Sequence, residues 1–278
     1  MFYYEQFFQT ALNGIDRSNI MPVTIQIAQV ILLISFLVAV YESFIRGGDV
    51  RLLGVAAVKY VGLGLVLLGY ATVFRDINGM FKAFADFIAN NMTGGTDVFK
   101  IWLADLRDHF YQYGYRAFFD LVAGGFAGLI GSIFIIVSYV LYPLTYVAFC
   151  FFYSFYGAVL YVIGPIVLAL LPAFGLGALA RAYVINLMIF QFWGVIYSIL
   201  TGLITAVNLG TVQQVLTSGE FMGGFAGLEQ TLLLGVASIF YAISIAVIPF
   251  LASRIVRGET FGTIAHVIIN KLPLPLPK

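Results

Sequence analysis

LVAGGFAGLIGSIFIIVSYVLYPLTYVAFCFFYSFYGAVLYVIGPIVLALLPAFGLGALA, residues 121–180, runs between Asp120 and Arg181 without one Asp, Glu, Lys, Arg or His. A water-soluble domain interleaves charge to cover its surface, and this stretch does not. A bilayer core about 30 Å thick is spanned by ~20 apolar helical residues. At ~1.5 Å each, these sixty residues are too long for one crossing and long enough for two. The chain therefore reads as an integral membrane protein of the all-α class.

The rest of the composition agrees. The 278 residues are 62% hydrophobic and 10% charged, where ordinary globular chains carry about 25% charge. The formal net charge of +1 implies no global electrostatic partner, so direct sequence-specific nucleic acid binding is not expected. The single cysteine, Cys150, lies inside the uncharged run and reads as a small apolar residue. The start, MFYYEQFF, lacks a basic n-region, so no cleavable signal peptide is expected and insertion would use the helices themselves.

Working outward gives five regions. Residues 1–19 read as an interfacial segment: Tyr4, Phe7, Phe8, Leu12 and Ile15 share one helical face, and Asn13-Gly14 interrupts the pattern. Residues 20–74 hold two spans, Pro22 to Phe44 and Leu52 to Phe74. Residues 75–116 hold five basic and five acidic residues, yet apolar positions recur at helical spacing in Ile77, Met80, Phe81, Phe84, Phe87 and Ile88, and again from Phe99 to Tyr113. That pattern predicts two amphipathic helices at the membrane surface. Residues 117–252 hold four further spans, about Phe118–Tyr142, Tyr146–Leu171, Tyr183–Val207 and Thr231–Ala252. Residues 253–278 form a basic, Pro-rich tail ending KLPLPLPK, expected to be extended. The architecture expected is a polytopic transmembrane bundle of about six spans plus amphipathic interfacial helices.

Six spans place both ends of the chain on one side. That side holds Arg17, the bases of residues 75–116, Arg181 and the bases of the tail, against Arg46 and Arg51 opposite. The positive-inside rule then predicts cytoplasmic termini.

Within the spans, a few residues stand out. Lys59 sits about eight residues into the second span, where a lysine costs ~2.5–3.5 kcal/mol on insertion scales. The bland alternative is a stem that snorkels toward Arg51. Asn186 and Gln191 are polar within an apolar stretch and could line a polar path or bond between helices. Gly164-Pro165 should kink its helix, because proline lacks the backbone donor, and Pro172 opens a turn. Gly124, Gly128, Gly202, Gly223 and Gly227 sit in small-residue patterns four apart, which let helices approach closely within or between chains.

Chemistry-bearing constellations are missing. His109 and His266 lie far apart with no metal-ligand spacing around them. Ser132 has no base at helical spacing, paired intramembrane aspartates are absent, and no phosphate-binding loop appears. Neither an enzyme nor a cofactor is expected. A transporter usually places ionisable groups mid-membrane and pairs broken helices; Lys59 and one Gly-Pro break are thin support for that.

Residues Tyr156 to Val207, YGAVLYVIGPIVLALLPAFGLGALARAYVINLMIFQFWGVIYSILTGLITAV, carry a resemblance. An I-G-P break, a Pro/Phe/Gly turn, one basic residue (Arg181) and an aromatic-Trp pair (Phe192-Trp193) resemble the TrbL/VirB-type polytopic inner-membrane subunits of type IV secretion and conjugation machines. The likeness covers about fifty residues. It implies a non-enzymatic channel or pilus-assembly subunit in a bacterial inner membrane. The partners it implies are the lipid bilayer, other secretion-machine subunits and copies of the chain itself. On this resemblance Gly164, Pro165, Arg181 and Trp193 would have structural or assembly roles. Two departures stand beside it: the charged segment 75–116 counts as cytoplasmic, and only a short tail follows the last span. A stand-alone transporter or permease is the alternative reading.

Overall fold

The structure is a computed structural model that describes residues 2–45, 50–93, 125–172, 177–206 and 229–258, and isolated positions 104, 107 and 111. The described elements are helices: α1 (Tyr3–Arg17), α2 (Ile20–Ile45), α3 (Val50–Leu68), α4 (Tyr70–Thr93), α5 (Gly125–Ala169), α6 (Gly177–Ala206) and α7 (Glu229–Arg257).

Four stretches of these helices are long and apolar enough to cross a membrane: Ile20–Ile45, Ile136–Ala169, Gly177–Ile204 and Val236–Arg257. A fifth is reached if the bent pair Leu53–Leu68 and Tyr70–Met92, which turns by 72°, counts as one broken span. The chain is thus a multi-pass membrane protein by its helices. Six crossings are not shown: among the described residues four stretches qualify, or five with the bent pair. One expected boundary does differ, in α5. The sequence reading ends one span at Tyr142, before Pro143, and begins another at Tyr146. Instead α5 runs through as 45 residues, about 67 Å at the helical rise. A proline deletes one backbone donor and need not end a membrane helix, where lipid offers the backbone no alternative partner.

α1 also corrects its expectation. It continues through Asn13-Gly14, where a break was expected; Gly14 faces open space, so its flexibility costs little packing. It ends at Ser18-Asn19, with Asn19 in the left-handed region (φ 58°), a conformation asparagine tolerates at a helix end. The buried stripe is Tyr4, Phe8 and Leu12, while Phe7 is 60% exposed. In α4 the buried stripe is Tyr70, Phe74, Asn78, Ala85 and Ala89. Met80, Phe84 and Phe87, three of the large apolar residues expected to define one face, are exposed. The second expected amphipathic helix, Phe99 to Tyr113, falls outside the described residues apart from isolated positions.

The chain divides into two compact units. One comprises Met1–Phe7, Phe81–Tyr153 and Gly194–Ile248; the other comprises Phe8–Met80, Ser154–Trp193 and Pro249–Lys278. In the second unit α2 and α3 form an antiparallel hairpin. Ala28 and Leu32 of α2 pack with Tyr60 and Leu67 of α3 and with Ala169 of α5. The Tyr60 hydroxyl donates to the Ser35 carbonyl at 2.9 Å, and Phe36 lies edge-on to the Tyr60 ring. In the first unit the core is aromatic: Tyr4 meets Phe149, Tyr153 and Tyr197, and Tyr142 stacks on Tyr241.

Candidate functional site

Pro165 cannot donate to the turn before it, and Gly164 offers no side chain beside that turn. Two tyrosines fill the resulting notch. The Tyr70 and Tyr183 hydroxyls lie 2.6 Å apart. Tyr183 donates to the Leu160 carbonyl at 3.0 Å, whereas Tyr70 lies 3.3 Å from the same oxygen. Each hydroxyl has one proton, so the distances favour a chain in which Tyr70 donates to Tyr183 and Tyr183 donates to Leu160. A Cβ on residue 164 would collide with both hydroxyls. Glycine is therefore required by packing. Near the start of α4 and on α6, the pair clasps the C-terminal part of α5.

One turn away on α5, the buried Tyr161 ring packs against Tyr70 and Phe74. Its hydroxyl donates to the Asp16 carboxylate at 2.8 Å. Arg75 donates to the other Asp16 oxygen at 2.6 Å, to Asn13 at 3.1 Å and to Gln9 at 3.3 Å. This ion pair is about one-third exposed on each partner, so its Coulomb energy is screened and its value is largely geometric. It ties α1 to α4 and α5. Phe8 completes that tie: a Cβ on Gly157 would overlap the Phe8 and Phe190 rings, so glycine lets both rings sit on the α5 backbone.

The residues of the Tyr156–Val207 segment singled out in the sequence are placed differently. Trp193 is buried and stacks on Tyr156 with ring centroids 5.4 Å apart, closing the α5–α6 seam. Arg181 is exposed in the first turns of α6 and Pro172 lies in the turn after α5. Gln191 is 2% exposed, and among the described residues neither its amide oxygen nor its nitrogen has a hydrogen-bond partner. Asn186 is half-buried. Gly202 packs against Met92, whose side chain occupies the space a Cβ would need. Gly128 lies within α5, while Gly124, Gly223, Gly227, His109 and His266 fall outside the described residues. Lys59 is exposed on α3.

In the first unit Phe2, just before α1, and Tyr4 and Glu5 in its first turn are buried. Gly194 leaves room for the Tyr4 ring. Burial, then the neighbouring Tyr153 and Glu5, push the Tyr4 hydroxyl well above the ordinary tyrosine range.

Sequence reasoning singled out Gly164 and Trp193 but missed their partners Tyr70, Tyr183 and Tyr156, and it missed the Asp16–Arg75–Tyr161 group. One signal was available. Tyr142, Tyr146, Phe149 and Tyr153 recur at i, i+4, i+7 and i+11, marking an aromatic stripe on α5 that is buried throughout.

Compared with protein-family models, curated proteins and solved structures, the chain has no match.

Proposed function

We propose that this chain is a non-enzymatic inner-membrane subunit of a type IV secretion-like translocation machine, building its channel or pilus-assembly platform together with other subunits and further copies of itself. The observation that carries the reading lies in the Tyr156–Val207 segment. Its distinctive residues make helix–helix joints: Gly164 seats the Tyr70–Tyr183 pair and Trp193 stacks on Tyr156. Joints of this kind suit a rigid scaffold. The exposed apolar faces of α2 and α3 leave surface for neighbours in the membrane. In this proposal the membrane is the bacterial inner membrane, charge counting sets the orientation, and the topology is multi-pass with surface helices.

The test is gentle extraction from the native membrane followed by identification of co-purifying proteins. A secretion ATPase, pilus subunits or other envelope proteins in the same particle are the expected result; this chain alone, under conditions that keep known membrane complexes intact, contradicts it.

A second reading, a stand-alone transporter, is favoured by one observation: the α3–α4 pair bends by 72°, and broken helices recur at transport sites. Substrate flux through liposomes holding only this protein would support it against the assembly reading.

A further inference from the structure

The Tyr60–Ser35 hydrogen bond and the Phe36–Tyr60 ring contact fix the depth of α3 against α2. They set Lys59 level with about Phe36, well inside the Ile20–Ile45 span. The C-terminal end of that span lies nine residues further on, about 13 Å at the helical rise. A lysine stem of about 6 Å does not cover that distance, so the stem alone does not carry the ammonium to the end of the span. Lys59 is exposed and, among the described residues, has no hydrogen bond or ion pair. It lies on a stripe with Val55, Gly62 and Val66, all exposed, and Gly62 faces open space where a neighbouring helix could approach closely.

The same hairpin carries one other charge within its apolar length, Glu42, half-buried on α2 and likewise without an ion pair among the described residues. Counted at about 100° per residue from the α2–α3 seam, Glu42 and Lys59 fall on the same flank of the hairpin. Their levels differ by about six residues, or 9 Å. Helical side chains lean toward the N-terminus of their own helix. Because the two helices are antiparallel, Lys59 leans toward the level of Glu42, and Glu42 leans toward the level of Lys59. The flank thus carries a base and an acid at complementary heights beside a glycine notch.

We infer that this flank of the α2–α3 hairpin docks a second copy of the chain in the same membrane orientation, Lys59 of each copy pairing with Glu42 of the other. The inference rests on the proposed self-association and names its face. Pairing removes two charges from lipid at once, which neither side chain achieves alone.

The test uses full-length chains carrying two different affinity tags, co-expressed and captured on one tag. Wild-type copies are expected to co-capture. Lys59→Glu and Glu42→Lys, each alone, place like charges in both pairs, and co-capture is expected to fall at least about tenfold. Co-expressing the Lys59→Glu chain with the Glu42→Lys chain restores opposite charges at both pairs and is expected to restore co-capture. Lys59→Arg, which keeps the charge, is expected to behave as wild type and controls for folding. Wild-type co-capture that Lys59→Glu leaves unchanged overturns the interface but not self-association. Loss in both single variants without restoration in trans also overturns the interface, since a pair within one chain cannot be repaired by another. A wild-type chain that never co-captures itself overturns self-association and the interface together.

Discussion

Gly164 is legible in the sequence as part of a Gly-Pro break, and the sequence assigns it to a kink. The structure assigns it to a clasp, because two hydroxyls occupy the space of its missing side chain. Gly164→Ala should therefore lower stability by about 1–3 kcal/mol, the cost of overpacking, read by thermal unfolding in detergent. In a Tyr70→Phe, Tyr183→Phe background, which removes the two colliding oxygens but keeps the Tyr70 ring carbon close, the same alanine should cost less though not nothing; such non-additivity is the mark of a direct contact. Gln191 follows the opposite logic. A buried amide costs its desolvation, and no described residue bonds either atom of this one. Gln191→Met, similar in volume and without polar groups to satisfy, should raise stability by about 1–3 kcal/mol, and a lower unfolding temperature would refute that account. Gln191 was readable as polar within an apolar run. Its lack of a partner was not, since that depends on which side chains three-dimensional packing brings near.

At the scale of the element, α1 shows what periodicity can and cannot give. Its helical spacing is plain in the sequence, but the choice between Phe7 and Phe8 is not, since both fit an apolar face. The notch at Gly157, far along the chain, decides for Phe8. Phe8→Ala should cost about 3 kcal/mol and loosen α1, measured as faster amide exchange over Gln9–Arg17. Asp16→Asn should have a smaller effect, because the ion pair is partly solvated. The first turns of α1 make a pH prediction. In the folded chain the Tyr4 hydroxyl keeps its proton above the ordinary tyrosine value, while in the unfolded chain it ionises near pH ~10. The stability contributed by protonated Tyr4 is therefore complete below that value and is lost as pH rises above it. Tyr4→Phe should flatten this alkaline decline, measured as unfolding temperature from about pH 9 to 11. α5 teaches the complementary lesson. Proline at 143 reads as a boundary from local rules, yet a membrane helix can continue through it, because lipid offers its backbone no better partner.

For the whole molecule, the fold class was legible from charge alone: sixty uncharged residues leave few alternatives to membrane helices. The span count was less legible, because it depends on whether prolines and glycines break, bend or merely mark close contacts. The clasp and the ion-pair anchor were almost invisible, since Tyr70 and Tyr183 stand 113 positions apart. The proposed role as one part of a membrane assembly fixes the mass of the intact particle cut from the native membrane with its lipid annulus, without detergent. A particle several times the 30.5 kDa of the chain, once lipid is subtracted, is expected. A protein mass equal to one chain would contradict that role.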